Sequence, residues 1–511
     1  MIIDTGSNNP TGTEITKDEP PKSERGVVLL WVAGMLVALL GVSAFAVDLG
    51  WLYLNTSRLQ KAADAAALAG VVNLPALPAQ ADADAQSASA ANKFPIGNPV
   101  SNTFASEILI DNTYEVTLGS QVSTFFLKVL GINAFTIERV ATAQYVLPVP
   151  MGSPANCFGV GDTSILDSSR FPSGSGTLNA RDLCDNYTQN FWAAVNGQQT
   201  AREHGDPFMT ACNTAGGGSC SGANPEYDRD RHYFYGIEVP AGKTFLDVWL
   251  YDAGFYARSG FAEAGDSELG SSSAGGANMI FTLKRPDNTP HDPADNPVHC
   301  TLTVNSGQSS STYRNLWARV CGQIANPAQG MWVLQVQTSG NIGGTSHYSI
   351  MTNTNGISAA SNPRVYAIND MGIFTNEDSG NATVWLAEIL PVHAGKKLVL
   401  QFFDPGESAP PATMTVKDPS GATAGNCVWT SDNGSNGNSC AITTASGSTS
   451  LFNGDWITLT ITIPSNYTCT ASANGNSGCY WKMNLALQTS HDRTTWTARV
   501  IGNPVRLVPN G

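Results

Sequence analysis

Residues Gly26 to Val47, GVVLLWVAGMLVALLGVSAFAV, run for 22 positions without a charge. As a helix this stretch is about 33 Å long, which matches the hydrocarbon core of a bilayer. Arg25 stands at one end and Asp48 at the other. Basic flanks favour the cytoplasmic side, so residues 1–25 read as a disordered cytoplasmic tail, 26–47 as the transmembrane helix, and everything after as extracytoplasmic. The sequence Ala44-Phe45-Ala46 also satisfies the small-x-small rule for signal-peptide cleavage. The apolar run is longer than a usual signal core, however, and the helical pattern continues past it. An uncleaved single-pass anchor is therefore the expectation.

That pattern is a stripe. Leu49, Leu52, Thr56, Leu59, Ala63, Ala66 and Gly70 recur at alternating spacings of three and four, on one face of a helix running on to Val72. The stripe narrows from leucine to alanine and glycine. Small residues let another backbone come close. Two partners fit Leu59, Ala63, Ala66 and Gly70: the chain's own domain, or other helices of the same kind in a bundle.

The combined string resembles the N-terminal segment of TadE/TadG-like Flp pilus-assembly proteins. The resemblance rests on Arg25-Gly26, the apolar span, Asp48-Leu49-Gly50, Leu59-Gln60 and AADAAALAG from Ala62 to Gly70. It continues more weakly through Thr113 to Pro148. It implies a bacterial, membrane-anchored, pilin-like protein that helps build or anchor a Tad-type pilus, with other pilus-assembly or pilin-like proteins as partners. Two departures matter. Trp31 stands where a processed pilin carries Glu, which points to an accessory role rather than the pilus shaft. DTSIL at Asp162 breaks the metal motif of the von Willebrand-type domain found in larger members. From the residues themselves, 48–148 reads as a small α+β unit: a strand at YEVTL, a helix over SQVSTFFLKVLG with Gly131 ending it, and a strand at AFTIERVATAQYVL.

From about residue 150 the composition turns to Gly, Ser, Asn and Thr, and all ten cysteines follow. They fall into neighbouring pairs: Cys157/Cys184, Cys212/Cys220, Cys300/Cys321, Cys427/Cys440 and Cys469/Cys479. Local disulfides in an oxidising compartment are expected, which agrees with the orientation of the anchor. Residues 149–225 read as a Cys-bounded connector. Beyond it an internal repeat appears. AGKTFLDVWLYDAG from Ala241 matches AGKKLVLQFFDPG from Ala394, and TLKRPDN from Thr282 matches TVKDPSG from Thr415. Cys300 aligns with Cys427, Trp317 with Trp456, and MWVLQVQTS from Met331 with YWKMNLALQTS from Tyr480. The alternating strands of each copy predict tandem antiparallel β-sandwiches over 226–355 and 356–511, with Trp332 and Trp481 in their cores.

The net charge of −14 argues against nucleic acid or anionic lipid as a partner. No nucleophile elbow, HExxH, phosphate loop or dinucleotide fingerprint is present, and the chain reads as a non-enzyme with no organic cofactor. Asp252 and Asp404 hold matching places after a strand in each copy, either as turn-capping residues or as calcium ligands. The sandwiches then serve to bind other proteins, or, in the alternative reading, a surface glycan or matrix. A secreted hydrolase would need cleavage after Ala46.

Overall fold

The structure, a computed structural model, describes residues 22–73, 78–97, 102–110, 113–145, 148–159, 191–216, 219–228, 230–254, 267–269, 278–287, 292–305, 313, 317–340, 343–354, 362–377, 382–406, 411–447, 449–470, 478–486, 490–501 and 505–508. The tail 1–21, Asp162 and Cys184 lie outside them. The chain forms an α+β unit on one long helix, followed by tandem antiparallel β-sandwiches.

Helix α1, Lys22–Val71, carries the apolar span without a break into the stripe. Its 50 residues make a rod of about 75 Å. Every residue of 26–47 is exposed except Ala44, which is half-buried. The second half of α1 lies with α2, Pro78–Ala91, against a meander of β1, Thr103–Ile110, β2, Thr113–Ser123, and β3, Ala134–Tyr145. Leu59, Ala62, Ala63, Ala66, Ala67 and Val71 meet Ala81, Ala85, Tyr114, Val116, Leu118, Ala141 and Ala143 in one core. The small residues of the stripe are thus covered by the protein's own sheet and by α2. Leu49 is 44% exposed and leaves the stripe, which starts at buried Asp48 instead.

The helix expected over 120–131 is not there. β2 runs on to Ser123 because Val116, Leu118, Ser120 and Val122 alternate inward and pair with β3 over the full strand. Only one 3-10 turn, Leu127–Leu130, remains, closed by Gly131 at φ 86°.

Next come β4, Cys157–Phe158, β5, Phe191–Asn196, and the hairpin β6, Cys212–Gly216, with β7, Ser219–Ala223. The first copy continues with β8, Tyr233–Val239, β9, Phe245–Tyr251, β10, Ser267–Leu269, β11, Asn278–Lys284, β12, Val298–Val304, β13, Trp317–Arg319, β14, Ile324–Ala325, β15, Gly330–Ser339, and β16, Gly343–Asn353. After β17, Arg364–Ile368, the second copy holds β18, Asp370–Glu377, β19, Ala382–Glu388, β20, Lys397–Phe403, β21, Ala412–Lys417, and β22, Cys427–Ser431. It ends with β23, Asn436–Gly437, β24, Ala441–Ser446, β25, Thr449–Ser450, β26, Trp456–Thr462, β27, Tyr480–Ala486, and β28, Ser490–Ile501.

In the first copy the order β13-β9-β16-β5 faces β12-β11-β15-β8; in the second, β26-β20-β28-β18 faces β24-β21-β27-β19. Both are the eight-stranded jelly-roll order, with the same strand-by-strand correspondence. The first strand of each copy lies ahead of the recognisable repeat. The first sandwich therefore begins at β5, inside the segment expected as a connector, and not at residue 226. β5 pairs with β18 antiparallel, Trp192 opposite Phe374, which fuses one sheet of each copy into a single continuous sheet. β17, placed by the sequence in the second copy, pairs with β8 of the first. Asn369, at φ 66°, then turns the chain into β18.

Topology also reassigns one repeat match. Cys300 on β12 corresponds to Cys440, beside β24, because β22 and β23 are an extra hairpin in the second copy. Cys300–Cys321, Cys427–Cys440 and Cys469–Cys479 are disulfides with Cα separations of 6.2, 5.3 and 5.1 Å. The first two join the two layers of their own sandwich. Cys157 and Cys212 are disulfide-bonded as well. The partners expected for them from spacing were Cys184 and Cys220. Cys184 lies outside the described residues, and so does the side chain of Cys220. The expected pairs Cys157/Cys184 and Cys212/Cys220 therefore lie outside the described residues.

Finally β29, Val505–Val508, returns to the N-terminal unit and pairs with β3, Val505 opposite Tyr145. The tandem sandwiches are thus an insertion between two neighbouring strands of the sheet that packs on α1.

Candidate functional site

Asp48 is the first charged residue after the apolar span, and it is 3% exposed. Its carboxylate accepts three backbone N–H groups from the β2–β3 connection: Phe125 at 2.7 Å, Phe126 at 3.0 Å and Leu127 at 2.7 Å. Burial works to raise its pKa. The three N–H donors and nearby Lys128 outweigh burial and hold the carboxyl below its ordinary value. Trp51, one turn on, meets Phe125 with ring centroids 5.5 Å apart. The point where α1 leaves the apolar span is therefore bolted to the β2–β3 connection.

The upper end of α1 is fixed by close approach. A Cβ on Gly70 would stand 2.3 Å from Cε1 of Tyr114 and 3.0 Å from the Ala81 carbonyl oxygen. Tyr114 is buried, and its hydroxyl donates to Asp82 Oδ1 on α2 at 2.6 Å. Ser106 on β1 donates to the same oxygen at 2.7 Å. Burial, then Asp82, pushes the Tyr114 phenol up. Leu59, Ala63, Ala66 and Gly70 thus sit together on one face, as their spacing requires, and their neighbours are internal.

Asp252 and Asp404 both adopt left-handed backbone, at φ 52° and 56°, and both are buried. Asp tolerates this conformation where larger side chains do not. Asp404 Oδ1 accepts the Gly454 N–H at 2.7 Å, and its own N–H bonds to Asp455 O at 3.0 Å. Among the described residues no three His, Cys, Asp or Glu side chains gather to hold a metal ion. Asp404 caps a turn.

The sandwiches are locked together by polar contacts as well as by the shared sheet. Arg364 on β17 reaches Glu388 on β19 at 3.0 Å, with both side chains nearly buried. Arg202 bonds Glu226 at 2.9 Å and the Gly454 carbonyl at 3.0 Å, and Trp456 Nε1 donates to Glu226 at 2.6 Å. Asp206 accepts N–H groups from Asn196, Phe208 and Met209 and the hydroxyl of Tyr233; burial nonetheless raises its pKa. The segment after β5 therefore clamps the second sandwich onto the first.

Trp332 and Trp481 are each 2% exposed, in the inter-sheet cores. No Phe, Tyr or Trp of the sandwiches whose exposure is described lies open to solvent. A cleft of about 500 Å³ on the first sandwich is lined by Arg231, His232, Phe234, Lys284, Gln335 and Asp370. Two of its charged groups are already engaged: Arg231 binds Asp370 at 2.6 Å, and Lys284 donates to the Ala294 carbonyl at 2.8 Å.

Residues 26–86, the span, the stripe and the start of α2, match the family described as "Putative Flp pilus-assembly TadE/G-like". The N-terminal segment is TadE/G-like. No curated protein matches the chain. A solved structure, the N-terminal CBM22-1-CBM22-2 tandem domain of Xyn10C from Paenibacillus barcinonensis, aligns at 11% identity with a TM-score of 0.13. It covers 50% of this chain and 80% of that one, and a score so low carries no weight for fold or ligand.

The sequence singled out Asp48 only as part of a family string. Its clamp on the loop at Phe125, like the Tyr114–Asp82 contact, pairs residues far apart along the chain, and no local spacing marks such pairs.

Proposed function

We propose that this protein is a membrane-anchored, extracytoplasmic accessory protein of Tad/Flp-type pilus assembly or surface display. The observation that carries this reading is the TadE/G-like segment at 26–86, in which α1 runs unbroken from the apolar span into contact with its own sheet and α2. α1 holds the chain in the membrane with its N-terminus inside and the sandwiches outside. The disulfides support that orientation, since they belong to an oxidising compartment. Because the sandwiches are inserted between β3 and β29, two chain connections hang them on the membrane-proximal unit. The fused sheet makes them one rigid arm rather than two beads on a string. Such an arm suits a non-enzymatic binding role toward pilus-assembly or pilin-like proteins. Among the described sandwich residues the aromatic rings are buried or, as at Trp385 and Trp429, half-buried, and none is fully open as a stacking platform, which favours protein partners over a glycan.

Deleting the gene and counting surface Flp-type pili by electron microscopy tests this. Loss of pili, restored by the full chain, supports the role. Unchanged pilus number in the deletion strain rules it out.

A further inference from the structure

The tip of the β2–β3 connection, Thr124 to Ile132, is apolar and uncovered. Phe125 is 56% exposed, Phe126 49%, Val129 89%, Leu130 75% and Ile132 40%. Across the fourteen residues from Thr124 to Ile137 the single charge is Lys128, in a chain of net charge −14. Exposed apolar side chains concentrated on one turn mark an interaction surface. Three observations say what covers it.

The first is position. The tip hangs on Asp48, the residue at which the apolar span ends. Ala44, one helical turn inside the span and on the Asp48 face, is the residue of 26–47 that is half-buried. The tip therefore sits at the level of the bilayer surface whenever α1 crosses it. The second is the backbone. In hydrocarbon, unpaired N–H groups are expensive, so an inserted loop must satisfy its own. Here Phe125, Phe126 and Leu127 donate to Asp48, and Thr124 donates to the Asn133 carbonyl. Val129, Gly131 and Ile132 donate to the carbonyls of Phe126, Lys128 and Leu127. The third is composition. Trp51 and Phe125 pair at the height where aromatic rings prefer the headgroup boundary, and Lys128 can reach anionic headgroups.

We propose that the 125–132 tip inserts into the outer leaflet of the membrane that α1 spans, as a second, interfacial anchor beside the helix. One helix alone leaves a unit free to swivel about its axis. The tip, bolted to α1 through Asp48, fixes the tilt of the N-terminal unit and so the direction in which the sandwich arm projects. The inference rests on the reading of α1 as a membrane anchor.

The test uses the full chain in lipid nanodiscs, with an environment-sensitive thiol fluorophore at one introduced cysteine: Val129→Cys, Leu130→Cys, Leu39→Cys in the span, or Val428→Cys on the second sandwich. Nitroxide lipids are the quenchers. The expected result is blue-shifted emission and several-fold stronger quenching at 129 and 130 than at 428, with a shallow nitroxide more effective than a deep one; at 39 the deep nitroxide dominates. Quenching at 39 with water-like emission at 129 and 130 overturns the tip insertion and leaves the anchor intact. No quenching at 39 overturns the anchor itself, and the insertion with it. Blue-shifted but unquenched emission at 129 and 130 also overturns the proposal, since it means that a second copy of the chain covers the tip.

Discussion

Gly70→Ala separates packing from propensity. On helix propensity alone the change should stabilise α1 by about 1 kcal/mol. The structure requires the opposite sign. The new Cβ would lie 2.3 Å from Tyr114 Cε1 and 3.0 Å from the Ala81 carbonyl oxygen. Ordinary contact begins near 3.4 Å, so the ring must move by about 1 Å against a buried sheet face, or α2 must lift away. Forcing one carbon into a packed core costs about 1–3 kcal/mol. Moving the ring also strains the 2.6 Å hydrogen bond from Tyr114 to Asp82, and a bond to a charged acceptor contributes about 1.5–3 kcal/mol. With part of that bond retained, the net is a loss of about 1–3 kcal/mol in the N-terminal unit. The whole chain does not unfold in one step, so a melting point would blur the effect. Hydrogen exchange of the full chain in detergent resolves it. Amides of α1 between 60 and 71 and of β2 should lose protection about tenfold, while the sandwiches keep theirs. Unchanged or increased protection in α1 would show that the Gly70–Tyr114 approach does not hold the unit together.

Arg364→Ala leaves Glu388 buried without its partner and should weaken the junction between the sandwiches by about 3–5 kcal/mol; adding Glu388→Ala should recover part of the loss, read by urea unfolding. His204 has its pKa lowered, first by burial and then by Arg493. Its folded-state preference is for the neutral ring, so the stability it contributes is present above pH 6.5 and lost as pH falls through the depressed folded value. His204→Gln should flatten the pH dependence of the clamp's exchange protection between about pH 7.5 and 5. Replacing Cys427 and Cys440 together by Ala opens a loop of 13 residues and should lower the stability of the second sandwich by about 3 kcal/mol, measured by denaturant titration.

Local periodicity made much of this legible. The uncharged span, the Leu59-Ala63-Ala66-Gly70 stripe and the alternation in β8, β9, β15 and their counterparts each follow from a few residues of pattern. What escaped depended on contacts distant in sequence. SQVSTFFLKVLG has helical spacing, yet pairing with β3 drew its first part into a strand. β5 and β18, FWAAVN and DMGIFTNE, carry no repeat signature that would pair them by sequence. α2 has only alanine-rich composition to announce it. The return of β29 to β3 spans about 360 residues, and no short-range rule reports it. At Asp404 the left-handed backbone and the N–H from Gly454, fifty residues on, are features that no local spacing marks.

The central claim is that the TadE/G-like unit and the rigid arm work as one device in pilus assembly. The most direct measurement is pilus number in the gene-null strain complemented by a chain in which β3 and β29 are joined through a short hairpin, with the sandwiches removed. Membrane level and exchange protection in α1 would confirm that the shortened chain is present and folded. The account predicts no restoration by this chain and full restoration by the intact one. Wild-type pilus number from the shortened chain would contradict it.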